Sequence, residues 1–273
     1  MNEAKKNQPK ISVMGSGWLG LPLAKHLVES GYCVNLSTRN KSKFSLLKLA
    51  GARPFIFEID DINDQMAEFL IADTLIINIT SKALTSFQSL IPFIAQSPIK
   101  HVLFISSTSV YKNNNRVVTE DDGDESAESP LYQIEQSFQN CPDFDSTILR
   151  LSGLIGYQRH PGKFFAHNKP VLNPNAPVNL IHRDDCIGLI ITIIKKSAWC
   201  EVFNGCADTH PKKRDFYGYA RQLLNEPPPL FAESTENQYK IVSNDKIKAQ
   251  IGYEFLYPDL MNIHFKKMVD KNG

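Results

Sequence analysis

The sequence predicts an α/β protein: a doubly wound parallel sheet followed by a small carboxyl-terminal substrate lobe. Three observations carry this. Up to Ser152, apolar runs of strand length alternate with longer segments of helical period, the signature of parallel strands joined by crossover helices. Directly after the first strand comes "MGSGWLG", in which Gly15, Gly17 and Gly20 form G-x-G-x-x-G at the mouth of a helix. Beyond Ser152 the rhythm breaks into the loops "GYQRHPG" and "NKPVLNPNAPVN".

In chain order, strands are expected at "KISVMG" (10–15), "CVNLST" (33–38), "RPFIFEI" (53–59), "TLIINIT" (74–80), "HVLFISS" (101–107) and "STILRLS" (146–152). Helices are expected near 18–30, 41–50, 64–71, 85–96 and 131–140. Six strands in that rhythm complete a Rossmann-type sheet. The acidic, aperiodic interval 112–129 reads as a mobile loop between the fifth strand and its helix. The tail adds a buried helix at 184–196, a strand at "EVFNG" and a helix near 212–225. The predicted organisation is a disordered stretch over 1–9, a nucleotide-binding domain over 10–152, and a lobe over 153–273 that returns some segments to the core.

Composition narrows the function. With 30 basic against 29 acidic residues among 273, the formal net charge is +1, too little to hold a nucleic-acid backbone or an anionic membrane. The five cysteines (Cys33, Cys141, Cys186, Cys200, Cys206) make no C-x-x-C pair and leave one over, which suits a reducing compartment. The polar start "MNEAKKNQPK" lacks a signal-peptide core, and the most apolar run, Ile187 to Ile194, falls well short of the roughly 18 residues of a membrane span. A cytoplasmic protein is expected. No clustering of His, Cys and carboxylates has metal-ligand spacing.

The three glycines of the motif serve distinct physical purposes, namely a tight turn, an open approach for a pyrophosphate, and close helix-to-strand packing. Gly15, Ser16, Gly17, Trp18, Leu19 and Gly20 are therefore candidate cofactor contacts, with Trp18 packing on the loop. The end of the second strand discriminates cofactors, because a carboxylate there accepts from the ribose 2′-hydroxyl whereas an arginine accommodates a 2′-phosphate. Here "STRNKSK" offers Ser37, Thr38, Arg39 and Lys41 without a carboxylate, which favours NADP(H) over NAD(H). Thr80 and Ser81, closing the fourth strand, complete the cofactor set.

"GSGWLGLPLAKHLVESGYCVNLSTRNKSKFSLLKLAGA" resembles the amino end of the β-hydroxyacid dehydrogenases. That family has an all-helical second domain, which this tail does not match. "HVLFISSTSVYKNNNRVVTE", "ILRLSGLIGYQRHPGKFF", "VNLIHRDDCIGLI" and "EVFNGCADTHPKKRDFYGYARQLL" resemble the extended short-chain dehydrogenase/reductases, the NAD-dependent epimerase/dehydratases, over nearly the whole chain. The similarity is greatest to an atypical bacterial subgroup of uncharacterised epimerase-like proteins. It implies a small-molecule substrate such as a nucleotide sugar, and it admits a homodimer.

The resemblance also implies site residues. Ser107 matches the serine that hydrogen-bonds the reacting oxygen, although a serine-rich strand end can also satisfy backbone groups locally. The family's acid is the tyrosine of Y-x-x-x-K, whose ammonium, one helical turn away, lowers the phenol's pKa. Tyr132 stands near that place, but four residues on is Gln136. In a second register, Glu135 matches a family glutamate, Ala127 takes the tyrosine position and Leu131 the lysine position, and Tyr132 is accidental. The loop after the sixth strand carries Arg159, His160 and Lys163, with Tyr157 beside them. His160 suits acid/base work, and the cations suit a diphosphate. Asn179 and His182 match a stretch that approaches substrate, while Asp185 reads as a polar helix cap. Two readings stand at this point: an NAD(P)-dependent reductase or epimerase, with Ser107, Tyr132 and His160 as candidate catalytic residues, and a non-catalytic NADP(H)-binding sensor or interaction module lacking the Tyr-Lys pair.

Overall fold

The computed structural model describes residues 9–60, 64–165, 170–232 and 238–263. The stretch expected to be disordered, 1–9, lies outside these residues except for Pro9. The central sheet is built from β1 (Lys10–Met14), β2 (Cys33–Thr38), β3 (Arg53–Ile56), β4 (Thr74–Ile77), β5 (His101–Ser107), β7 (Asp145–Leu151) and β10 (Val202–Gly205), in the spatial order β10-β7-β5-β4-β1-β2-β3. The pairs β1–β2, β1–β4, β2–β3 and β4–β5 are parallel. Strand order reverses between β1 and β4, the point at which open α/β sheets bind ligands.

The connecting helices are α1 (Gly20–Glu29), α2 (Phe44–Leu49, preceded by a short turn at Lys41–Lys43), α3 (Asp64–Phe69), α4 (Leu84–Ala95) and α5 (Pro130–Gln139). Leu23, Ala24 and Leu27 are the buried stripe of α1, at helical spacing. In α5 the stripe is Leu131, Ile134, Glu135 and Phe138. Phe87, Phe104 and Phe138 meet edge-on or stacked within 6.0 Å, joining α4, β5 and α5.

Two expectations change. The sheet has seven strands: "EVFNG", read as part of the tail, supplies β10, whose Phe203, Asn204 and Gly205 are fully buried. The interval 112–129 is not a featureless loop. It carries β6 (Val117–Val118), paired in parallel with β11 (Ile241–Val242), and buries Glu120 and Asp124. Its polar composition conceals side chains that are consumed internally.

The chain forms two compact units that interleave in sequence. The first comprises residues up to Ser107, Ser126–Leu149 and Ile190–Val202; the second comprises Thr108–Glu125, Arg150–Leu189 and residues from Phe203. In the second unit β8 (Gly153–Ile155) pairs with β9 (Leu180–His182), and α7 (Lys213–Gln222) and α8 (Asp245–Ile251) come later in the chain; α6 (Arg183–Lys196) begins in this unit, and its residues from Ile190 onward belong to the first. Its core gathers Ile155, Val171, Val178, Leu180, Phe216, Tyr217 and Leu260. Among the described residues, no helix is long and apolar enough to cross a membrane.

Candidate functional site

β1 ends at Met14, and the chain turns at once through Gly15, whose φ of +105° few other residues adopt. A Cβ there would lie 2.9 Å from Ile79 Cγ2 and press into the Asn78 carbonyl. Gly20, opening α1, packs against this turn: its Cβ would lie 2.9 Å from Asn78 Nδ2 and drive into the Gly15 carbonyl. Gly17, between them, is exposed, and a Cβ there would meet nothing within 4 Å. Turn, open approach and helix packing thus fall to different glycines. No side chain caps the amino end of α1, which leaves it available to an anion.

Ser37 is buried, and its hydroxyl accepts the Gly15 N–H at 3.0 Å, so it positions the glycine turn. Thr38 is also buried and accepts the Asn40 N–H at 3.2 Å. A cleft of about 550 Å³ runs along these strand ends, lined by Met14, Gly15, Ser16, Gly17, Ser37 to Asn40, Lys43, Phe57 to Asp60 and Asn78 to Ser81. Arg39, Thr80 and Ser81 therefore face the cleft. Ser16 and Leu19 are buried in the loop, and Trp18 is half-buried. Lys41 is exposed on the following turn and is not among the lining residues, whereas Lys43 is.

Reading the sequence missed Asn40, Lys43, Glu58, Asp60 and Asn78. For Glu58 and Asn78 the available signal was strand length: β3 and β4 stop at Ile56 and Ile77, and these two polar residues, read as their continuations, are cleft wall.

Ser107, half-buried, ends β5. Its neighbour Ser106 donates a hydrogen bond to Glu135, which is completely buried on α5. Ser129 caps α5, accepting the Tyr132 N–H at 3.5 Å, and Tyr132 is half-buried in the first turn. Gln136 donates to Gln139 at 3.0 Å. No lysine or arginine lies on α5.

The other candidates belong to the second unit. His160 is buried, and its Nδ1 accepts the Gly162 N–H at 3.1 Å, capping a short turn at Pro161–Lys163; burial, reinforced by the Lys163 charge, lowers its pKa. Arg159 and Lys163 on the same loop are exposed. Asn179 spends both ends of its amide on the chain around β11, donating to the Lys240 carbonyl at 2.9 Å and accepting from the Val242 N–H at 2.8 Å. His182 is buried, its ring 3.9 Å from that of Tyr257, and burial pushes its pKa down to about 4. Tyr157, held at φ +53°, donates to the Asp184 carboxylate at 3.0 Å beneath the Arg183 guanidinium. Asp185, fully buried, accepts from Tyr253 at 3.0 Å and from the Leu256 and Tyr257 N–H groups at 2.7 and 3.1 Å. Those bonds fasten the 253–257 segment to the start of α6.

A buried polar network in this unit also escaped the sequence reading. Arg150 donates to Tyr111 at 2.7 Å and pairs with Glu125; Tyr111 donates to Asn204 at 2.9 Å, and Glu120 accepts the Asn204 N–H at 2.7 Å. Among the described residues, no group of three His, Cys, Asp or Glu could hold a metal ion.

Strand order, glycine turn and cleft together define a Rossmann-type protein. Solved structures share the fold, among them the following two. One is a short-chain dehydrogenase/reductase superfamily protein from Agrobacterium tumefaciens with bound NAD, with TM-score 0.77 and 16% identity, covering 92% of this chain and 94% of that one. The other is UDP-glucuronic acid 4-epimerase from Bacillus cereus in complex with NAD, with TM-score 0.77 and 15% identity, covering 94% and 98%. No family model matches. Protein YeeZ of Escherichia coli K12 is 30% identical over 266 residues, 92% of this chain and 97% of that protein. The chain belongs to the same family as YeeZ.

Proposed function

We propose that the protein is a nicotinamide-dinucleotide-dependent reductase or epimerase acting on a carbonyl or sugar-nucleotide substrate, with NADP(H) preferred to NAD(H). The observation that carries this is the glycine turn: Gly15 and Gly20 are closed to any side chain while Gly17 opens on a cleft wide enough for a nucleotide. Arg39 in the cleft, with no carboxylate on the β2 segment, supports the preference for a 2′-phosphate. Thr80 and Ser81 would hold the far wall of the cofactor. When bound, the nicotinamide supplies a hydride donor or acceptor.

The chain's own groups would do the rest. Ser107 would hydrogen-bond the reacting oxygen and Tyr132 would exchange its proton; in the second unit, taken by itself, His160 is the candidate for acid/base work, Arg159 and Lys163 are the candidates to hold an anionic group, and Asn179 and His182 are candidate substrate contacts. The NAD-bound epimerase among the structural neighbours supports a sugar nucleotide as substrate class. Five free cysteines support a cytoplasmic setting, and a homodimer belongs to the same proposal.

One observation favours a second reading. Tyr132 has no cation one turn away, and Gln136 is engaged with Gln139, as in a nucleotide sensor that has given up catalysis. Titrating NADPH and NADH into the protein, followed by calorimetry, tests what both readings share. Saturable NADPH binding, with NADH weaker, is the expected result. If neither nucleotide binds, both readings fail. Oxidation of bound NADPH in a screen of carbonyl and nucleotide-sugar substrates then separates enzyme from sensor.

A further inference from the structure

We infer that residues 253–257 form a releasable strap over His182, latched by the Asp185 carboxylate, and that a substrate meets His182 only when the strap is open; the link to substrate rests on the reading of His182 above. All the groups involved belong to the second unit. His182 is 2% exposed and enclosed from several directions. Its Nδ1 accepts the Asp184 N–H at 3.3 Å. Ile155, its partner in the β8–β9 ladder, leads into Gly156, where a Cβ would lie 2.7 Å from His182 Cδ2. The Tyr157 ring, 5.6 Å away, stands on a turn closed by two bonds between Gly156 and Arg159. The remaining wall is the Tyr257 ring, at 3.9 Å.

That wall is built differently from the others. Tyr253, Phe255 and Tyr257 are half-buried, whereas Glu254, Leu256 and Pro258 are exposed, so the chain lies extended with one face down and the other in water. Residues 253–257 make no backbone–backbone hydrogen bond to any described residue. One side chain holds them instead. The Tyr253 hydroxyl and the Leu256 N–H donate to Asp185 Oδ1 at 3.0 and 2.7 Å, and the Tyr257 N–H donates to Oδ2 at 3.1 Å. Both ends are pinned. Gly252, at φ +63°, closes α8 with its N–H on the Lys248 carbonyl at 3.0 Å, and the Pro258 carbonyl accepts the Asp208 and Thr209 N–H groups at 2.9 and 3.2 Å. A segment with firm ends and a single side-chain fastening opens locally, at the low end of a protein's range of stabilities. Opening lifts Tyr257 from His182.

Two variants release the latch by separate routes. Asp185→Asn keeps the volume but offers one oxygen in place of two, so an amide donor faces a strap donor whichever way the side chain lies. Gly188→Ala leaves the carboxylate in place and displaces Tyr253, because a Cβ there would lie 2.8 Å from Tyr253 Cζ and press on the hydroxyl. Hydrogen exchange is read at Leu256 and Tyr257, and His182 is probed with diethyl pyrocarbonate at pH 7, where burial keeps its imidazole neutral and reactive. In the wild type, exchange at Leu256 and Tyr257 should be insensitive to low urea, as a local opening is. In both variants it should quicken by about tenfold or more, with modification of His182 rising in step. Leu260, whose N–H donates to Thr209 Oγ1 at 2.9 Å beyond the pinned end, should exchange as before.

The inference is overturned if wild-type exchange at Leu256 and Tyr257 follows urea as global unfolding does, a test that needs no variant to fold. It is equally overturned if the variants quicken Leu260 alongside the strap, or leave His182 as closed as in the wild type. Neither readout involves a nucleotide. If the strap opens as stated and neither NADPH nor NADH binds, the dinucleotide reading fails and only the strap's link to substrate goes with it; a strap that never opens leaves nucleotide binding untouched.

Discussion

Substituting the second and third glycines of the motif separately should produce opposite effects on stability and binding. At Gly20 a methyl group would lie 2.9 Å from Asn78 Nδ2 and collide with the Gly15 carbonyl, a backbone atom that cannot swing aside. Relief requires α1 to move off the turn, and overpacking of this kind costs about 1–3 kcal/mol. For a chain of this size that lowers the thermal midpoint by about 3–10 °C. Gly17 is different: its φ is outside the left-handed range and the space beyond its Cα is open. Gly17→Ala should therefore stabilise slightly, by about 0.4–1 kcal/mol, through the unfolded chain. The same methyl would stand where a pyrophosphate must approach. Loss of one charge-assisted N–H contact, about 1.5–3 kcal/mol, weakens NADPH by about ten- to a hundredfold. Thermal unfolding and calorimetric titration of both variants check this. The reasoning is refuted if Gly17→Ala loses stability as Gly20→Ala does, or if it binds NADPH with wild-type affinity.

Two further predictions concern the second unit. Arg150→Met strands the buried Glu125 carboxylate and removes a partner of Tyr111, and should cost about 3–5 kcal/mol in urea unfolding. Adding Glu125→Gln should recover much of the loss, and a cost below about 1 kcal/mol would show the network to be dispensable. His182 has a folded pKa of about 4, below the ordinary histidine value, because burial disfavours its charged form. The unfolded chain then binds the extra proton, so this stability is complete above about pH 6.5 and is lost as pH falls toward 4, amounting to about 3 kcal/mol. The difference in unfolding midpoint between wild type and His182→Gln should shrink over that window; a difference independent of pH would mean that His182 is not held neutral.

How far the sequence disclosed this structure depended on whether a residue's role was local. The G-x-G-x-x-G run, the parallel strands and α5 were legible because period and spacing encode them within a few residues. Asn40 and Lys43 were missed because a three-residue turn sits where a continuous helix was expected, which moves the cleft-facing cation from position 41 to 43. Glu58 and Asn78 were read as strand, since apolar neighbours extend the pattern past the last ladder bond. The Tyr111–Arg150–Glu125 network was invisible for another reason: its partners are 39 and 25 residues apart and meet only through the fold. Charged residues in an aperiodic stretch look solvated until their partners are known.

The geometry of α5 bears on which reaction the proposed site could run. The buried stripe fixes the helix's rotation, with Glu135 bound to Ser106 beside Ser107. In that rotation Tyr132 and Gln136 are neighbours one turn apart and both half-buried, the relation a Tyr-x-x-x-Lys pair would have. The other register gains nothing: Ala127 precedes the Ser129 cap and lies outside the helix, and Leu131 belongs to the buried stripe. Neither register places a lysine four residues after the tyrosine position. Epimerisation through a keto intermediate needs one group to take a proton and then return it, whereas carbonyl reduction needs only the donation. The missing lysine bears on the taking of a proton more than on its donation, so if chemistry occurs at Tyr132, carbonyl reduction is the reaction we propose for it.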